Sequence, residues 1–161
     1  MEIATDTITR ELTAWTTALN MMREGLTPPI VHAATGLCRN RLRDLYRQLH
    51  GRSAPQGRVS EYAYRRLQTR NQILEGIAFY GTYYGFGGDS IFRTLDHNLV
   101  MEAYREYKAF APGGIDGTTA WYIARDLRGG VLTPKRCKIC GGTYLYDPRS
   151  DLMSRCPVYA D

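Results

Sequence analysis

The sequence predicts a mainly α-helical protein: a helical bundle that contains a helix-turn-helix, followed by a small zinc-ribbon-like segment. Apolar residues recur at spacings of three and four along residues 1–130, which is the period of one face of a helix. A Pro-Pro pair and a glycine turn precede an arginine-rich stripe, and three cysteines cluster near the C-terminus. We expect a helical DNA-binding and oligomerisation domain over residues 1–130 and a cysteine-containing domain over residues 131–161.

The first predicted helix covers residues 6–24. Asp6 can cap its N-terminus, and Gly25 can end it. Its apolar stripe is expected to pack in the core, with a partner interface as the alternative. The stripe residues are Ile8, Leu12, Trp15, Leu19 and Met22.

A helix-turn-helix is predicted next. Thr27 can cap a short helix in which Pro28 and Pro29 occupy the first turn, where a missing N–H costs nothing. This helix is expected to end at residue 34 or 35, with Gly36 in the turn. The second helix should run from about Cys38 to residue 50 and stop at residue 51.

The second helix of this motif has two different sides. Leu42, Leu45 and Leu49 share one face and are expected to pack inward. The adjacent outward arc is expected to face the solvent. Its first residues lie at the start of the helix, where recognition helices that enter a major groove contact base edges. The candidate DNA-binding residues on this arc are Arg39, Asn40, Arg43 and Arg47.

Arginine is concentrated in this part of the chain. Residues 39–70 hold nine arginines, no lysine and two acids, Asp44 and Glu61, whereas the whole chain has a formal net charge of +5. The planar guanidinium matches phosphate and base acceptors. The block therefore predicts double-stranded DNA as a partner, with a solvated helix face as the alternative.

Three further helices are expected. The first starts at Ser60, with Leu67, Leu74 and Ile77 inward, and ends in a stretch of aromatic residues and glycines over residues 79–88. That stretch is expected to form core or a subunit interface, with base stacking as the alternative. The second covers residues 96–110, with Leu99, Ala103 and Phe110 on one side and Val100, Tyr104 and Tyr107 beside them. The third is capped by Asp116 and runs through Trp121, Ile123, Ala124 and Leu127 to the glycines at 129 and 130.

The cysteines near the C-terminus have the spacing of a metal site. Cys137 and Cys140 form a Cys-x-x-Cys-Gly knuckle, and Cys156 follows at a ribbon-like interval. Tyr159 stands where a second knuckle would have its second cysteine. We expect one zinc ion per chain on the three cysteines. Because the segment is poor in apolar residues, we also expect the metal to supply its folding free energy.

The spacing of the cysteines does not identify the fourth zinc ligand. The candidates are water, a group from another chain, or a side chain of this one. Cys38 is expected instead to be a small buried side chain at a helix cap. The other candidates in the chain are a distant histidine, Asp147, Asp151 and Asp161 or its terminal carboxylate.

Enzymatic activity is not expected. Zinc with three protein ligands and a water can be catalytic, but the zinc deaminases also require a glutamate near a ligand, which is missing here. His32, His50 and His97 are isolated in the sequence and suggest no catalytic set. No apolar run is long enough to span a membrane, and the N-terminus has no secretory signal. Clustered cysteines fit a reducing compartment, so we expect a cytoplasmic protein.

Several segments, in order, resemble FlhC, a subunit of the bacterial flagellar master transcriptional activator. They are RNRLRDLYRQLHGRSAPQGR, AYREYKAFAP and AWYIARDLRGGVLTPKRCKICGG, and together they extend from about residue 28 to residue 156. The resemblance implies a helical DNA-binding subunit with a cysteine-ligated zinc domain. It also implies a hetero-oligomer with an FlhD-like partner that binds upstream of flagellar operons and recruits RNA polymerase.

Three of the family's four zinc-ligand positions are matched in this sequence, by Cys137, Cys140 and Cys156, and the fourth is Tyr159. Two functions are therefore expected. The first is a transcriptional activator subunit. The alternative is an FlhC-like interaction module that binds the partner without activating promoters.

Overall fold

The computed structural model of the chain describes residues 2–56 and 62–159. The chain divides into two compact units, Met1–Val59 and Ser60–Asp161. The cysteine segment lies within the second unit, and a domain boundary near Gly130 stays a prediction. In the described parts of the chain, no helix combines the length and apolar character needed to cross a membrane.

Within residues 2–56, the first unit forms three helices, α1 (Glu2–Arg23), α2 (Pro28–Thr35) and α3 (Arg39–His50), and each packs against the other two. The prediction for α2 and α3 is confirmed. Gly36 and Gly51 take left-handed conformations (φ 72° and 64°) directly after these helices, which glycine adopts without steric cost. The core contains Ala18, Met21, Met22, Leu26, Ile30, Val31, Leu42 and Tyr46.

Helix α1 differs from its prediction in two respects. It begins at Glu2, so Asp6 is not a cap and instead forms an ion pair with Arg10 at 2.7 Å. Only the C-terminal part of its apolar stripe reaches the core. Ile8 and Leu12 are 60% and 63% exposed, because α2 and α3 cover only the second half of the helix.

The expected cap residues of the helix-turn-helix act through their backbone. Thr27 and Cys38 occupy the N-cap positions of α2 and α3, and neither side chain accepts a capping hydrogen bond. Cys38 is exposed, so the expectation of a buried side chain is wrong.

The second unit contains three main helices, α4 (Arg70–Gly87), α5 (His97–Phe110) and α6 (Gly117–Arg128), with short 3-10 helices at Ala63–Arg65 and Gly88–Phe92. The N-caps of α5 and α6, Asp96 and Asp116, accept hydrogen bonds from backbone N–H groups of the first turn. This confirms both starts, since side-chain oxygens satisfy N–H groups that have no helical partner.

Helix α4 begins later than predicted. Ser60 lies outside the described residues, and α4 begins at Arg70 because Thr69 and Gln72 form a reciprocal capping box. The break before Thr69 changes which residues face inward. Leu67 is buried, as expected, but Leu74 is exposed. The buried residues of α4 are Ile73, Gly76, Phe79, Tyr80 and Tyr83.

The aromatic stretch at the end of α4 is partly core, as expected. Phe79 and Tyr83 stack with ring centroids 5.7 Å apart, and Tyr107 of α5 meets Phe79 edge-on. Tyr84 and Phe86 are exposed. Phe110, expected on the packed side of α5, is also exposed, because it is the last residue of that helix.

An antiparallel hairpin follows α6. Strand β1 (Thr133–Arg136) pairs with β2 (Thr143–Tyr146), with Thr133 opposite Tyr146 and Arg136 opposite Thr143. Strand β2 also packs against α4. The loop between the strands carries the knuckle cysteines.

Candidate metal centre and basic helix

The β1–β2 loop folds into a knuckle. The Cys137 N–H donates to the Gly142 carbonyl (2.8 Å), and the Gly141 N–H donates to the Cys137 carbonyl (2.9 Å). Gly141 has a left-handed conformation, with φ of 72°, which a residue with a Cβ rarely adopts. This tight turn directs Cys137 and Cys140 to the same point.

The structure brings the three predicted cysteines together. The Sγ atoms of Cys137, Cys140 and Cys156 all lie within 4.8 Å of one another, and those of Cys140 and Cys156 are 3.8 Å apart. Thiolates at about 2.3 Å from a shared zinc ion lie at comparable mutual distances. The arrangement therefore fits a metal ion held by three sulfurs.

Backbone N–H groups support negative charge on the Cys137 sulfur. The N–H groups of Cys140 and Ile139 lower the pKa of Cys137 to about 7. The pKa of Cys140 is raised instead, because the Gly142 N–H, 3.4 Å from its Sγ, is outweighed by burial and by the neighbouring thiols of Cys137 and Cys156. Hydrogen bonds to a charged group favour that form. Because the thiolate is the form that binds metal, Cys137 is the cysteine of the knuckle that is better prepared for a cation.

The fourth coordination position has no evident side chain within residues 2–56 and 62–159. No further His, Cys, Asp or Glu of these residues joins the cluster. The Tyr159 side chain is 56% exposed. Asp147 is fully buried and paired with Arg149, which removes it from the candidates, and Asp161 lies outside the described residues.

The cysteine segment is held in place by more than its cysteines. Leu132, Leu145 and Met153 are buried, so apolar packing also contributes to the stability of this segment. The expectation that a metal supplies its folding free energy stays a prediction. Asp147 accepts two hydrogen bonds from the Arg149 guanidinium, at 2.8 and 2.6 Å. Apolar packing and this ion pair therefore both help to hold the segment in place.

Two arginines fasten this segment to other parts of the second unit. The Arg149 guanidinium lies 4.0 Å from the ring centroid of Tyr62 and 4.8 Å from that of Tyr64. Arg70, the first residue of α4, donates to the carbonyls of Pro157 and Val158 at 2.7 and 3.3 Å. Sequence reasoning missed both arginines. The Asp-Pro-Arg sequence at residues 147–149 was the only available signal, because it marks a turn.

Helix α3 presents the predicted basic arc to solvent. Leu42 and Tyr46 are buried, and all four arc residues are exposed. Arg47 forms a long ion pair with Asp44 (3.7 Å), which is exposed and contributes little to stability. The arc residues are Arg39, Asn40, Arg43 and Arg47.

A groove of about 400 Å³ runs along part of this arc. Its walls are the Pro-Pro start of α2, one side of α3, and the loop after α3. Only the two later arginines of the arc line it. The lining residues are Pro28, Pro29, Arg43, Arg47 and residues 53–56.

The three histidines make structural hydrogen bonds. His32 Nδ1 and His50 Nε2 lie 2.7 and 2.8 Å from the carbonyls of Leu37 and Met22. His97 Nδ1 accepts a hydrogen bond from the Trp121 indole at 3.1 Å. Burial lowers the pKa of His97 because it disfavours the charged imidazolium.

A helix-turn-helix with an arginine-bearing second helix is typical of transcription regulators. The family comparison agrees: residues 3–156 match the model of the flagellar transcriptional activator family, FlhC. The chain belongs to the FlhC family. This is a family of transcriptional regulators rather than of enzymes.

Named relatives support the assignment. The flagellar transcriptional regulator FlhC of Sodalis glossinidius is 30% identical over 140 residues, which cover 81% of this chain and 70% of that protein. FlhC of Xenorhabdus nematophila is 28% identical over 135 residues, covering 80% and 68%. FlhC of Paraburkholderia atlantica is 26% identical over 155 residues, covering 91% and 70%.

Proposed function

We propose that this chain is a DNA-binding subunit of a flagellar-type transcriptional activator and works in a hetero-oligomer with an FlhD-like partner. The observation that carries the proposal is the family match over residues 3–156, which includes both the basic helix and the cysteine ribbon. The complex binds upstream of flagellar operons in the cytoplasm and recruits RNA polymerase.

Helix α3 is the DNA-reading element of this proposal. Its buried face holds it against α1 and α2, so the exposed arc can enter a major groove without disturbing the core. Arg39 and Asn40 occupy the first turn of α3, where recognition helices touch base edges. Arginine prefers guanine and asparagine prefers adenine in such contacts.

The cysteine ribbon binds one zinc ion through Cys137, Cys140 and Cys156, and its role is structural. The knuckle exposes a small basic surface of Lys135, Arg136 and Lys138, which faces DNA or the partner. Lys135 lies over the Tyr146 ring, with its Nζ 3.2 Å from the centroid, so strand β2 positions part of this surface.

A mobility-shift assay tests the proposal. The full chain is mixed with a flagellar-operon upstream fragment, with and without an FlhD chain, against a fragment of equal length and shuffled sequence. We expect a sequence-dependent shift that strengthens when FlhD is present. Equal retardation of both fragments, or no retardation, would contradict it.

A second candidate function follows from Tyr159. If the incomplete ligand set weakens the ribbon, the chain binds an FlhD-like partner without activating promoters and so titrates that partner. Co-purification with FlhD but no shift of the upstream fragment by the complex is the result that selects this alternative.

A further inference from the structure

The basic arc of α3 is divided by its surroundings into two parts. Arg43 and Arg47, one helical turn apart, line the groove described above, whereas Arg39 and Asn40 do not. We propose that this groove binds a phosphodiester of the DNA backbone, and that base reading is confined to the first turn of α3. The inference rests on the proposed DNA-binding function.

The groove exists because of how the chain leaves α3. The left-handed Gly51 ends the helix, with its N–H donating to the Arg47 carbonyl at 2.9 Å. The chain then turns back so that residues 53–56 lie beside Arg43 and Arg47. Pro55 restricts the backbone of this loop, and the loop thereby forms a wall with a defined position.

The charges that line the groove favour the binding of an anion. Both arginines are exposed, and no acid occurs among the described residues that line the groove. Asp44 reaches only Arg47, at 3.7 Å. Like charges one turn apart on a helix repel each other, so an anion between the two guanidinium groups removes an unfavourable interaction as well as adding favourable ones.

The neutral residues of the groove fit a phosphodiester. Ser53 and Gln56 add uncharged hydrogen-bond donors beside the arginines, and hydroxyl and amide groups are frequent phosphate contacts. Pro28 and Pro29 have no N–H to donate, so they offer an apolar wall for a sugar. A volume of about 400 Å³ accommodates a phosphate with its adjoining sugars.

Salt dependence of DNA binding distinguishes this role from base reading. We use the full chain and a labelled duplex of random sequence, and follow fluorescence anisotropy between about 50 and 200 mM salt. The slope of log K against log salt is negative, and each lost phosphate contact makes it less steep by about 0.9. The double variant Arg43→Ala/Arg47→Ala should therefore lose about one to two units of slope.

The matched control is Arg41→Ala/Arg52→Ala. These arginines are exposed and belong to the same basic block, but they do not line the groove. We expect this control to keep most of the slope, and Arg43→Lys/Arg47→Lys, which retains both charges, to keep it as well. Ser53→Ala/Gln56→Ala should weaken binding several-fold with the slope unchanged, because no charge is lost.

Two outcomes overturn the inference. Equal loss of slope in the groove variant and in the Arg41/Arg52 control means that only the total charge matters. An unchanged slope in the folded groove variant means that the groove holds no phosphate. If the wild-type chain binds the duplex at none of these salt concentrations, the proposed function fails first, and that result is distinct from both others.

Discussion

Arg149 and Asp147 form a two-point ion pair, with N–O distances of 2.8 and 2.6 Å, on a carboxylate that is completely buried. The Arg149 backbone N–H also donates to Asp147 (3.0 Å). Two tyrosine rings lie against the same guanidinium. This arrangement joins the cysteine ribbon to the start of the second unit, so it is a place where a single substitution should matter.

Replacing Arg149 by Ala should destabilise the protein by about 3 kcal/mol, because it leaves a buried carboxylate without its partner. Urea unfolding followed by circular dichroism measures the change. Arg155→Ala is the control, since this arginine is in the same segment and exposed, and it should cost less than about 0.5 kcal/mol. A similar small loss for both variants would show that the pair contributes little.

Replacing Tyr159 by Cys should tighten zinc binding by at least about tenfold. Even residues that only hydrogen-bond to metal ligands change metal affinity by that factor, and a new thiolate ligand should do at least as much. Zinc bound to protein purified without chelators is measured by elemental analysis, and affinity by competition with a chromogenic chelator. Tyr159→Ser removes the ring without adding a sulfur and should leave affinity near the wild-type value. Wild-type protein that carries no zinc at all contradicts the proposed structural role of the metal.

Replacing Arg39 by Ala should reduce discrimination between a flagellar upstream fragment and a shuffled one by roughly 1–3 kcal/mol, because a bidentate base contact is lost. Arg41→Ala, on another side of α3, should leave this discrimination unchanged. The triple variant with Ala at Arg39, Arg43 and Arg47 tests the assignment of α3 as the reading element. If this variant stays folded and binds DNA as the wild type does, the assignment is wrong.

The isolated chain is expected to self-associate and to form a defined hetero-oligomer with an FlhD-like chain. Ile8 and Leu12 lie one turn apart on α1 and are mostly exposed, so together they offer a small apolar surface that a partner can cover. Ile8→Glu/Leu12→Glu should shift sedimentation towards the monomer. Thr9→Glu/Thr13→Glu adds the same charge on the same helix and should have a smaller effect. A wild-type chain that is cleanly monomeric and indifferent to FlhD contradicts this prediction.

The elements that sequence reasoning predicted well are those with strong local signals. Prolines at the start of α2, left-handed glycines after α2 and α3, and aspartate caps on α5 and α6 each determine the backbone over one turn. The three cysteines were grouped correctly because their spacing is a property of the chain itself. The helix signals act within a few residues and do not depend on the rest of the fold.

The predictions that failed depend on contacts across the chain or on competing local signals. Leu74 was placed inward by extending one helical phase from Ser60, and the capping box at Thr69 broke that phase. Ile8 and Leu12 have helical spacing, yet spacing cannot say how far α2 and α3 extend along α1. Arg149 and Arg70 join positions far apart in sequence, and a single sequence contains no signal for such pairs.

The hydrogen bonds from Arg70 to the carbonyls of Pro157 and Val158 affect how the cysteine site responds to metal binding. These carbonyls directly follow Cys156, and β2, which bounds the knuckle, packs on the same helix. Both parts of the site are therefore attached to α4, which reduces the chain entropy that is lost when an ion binds. Metal binding should therefore change hydrogen-exchange protection around the knuckle and hardly at all in α4.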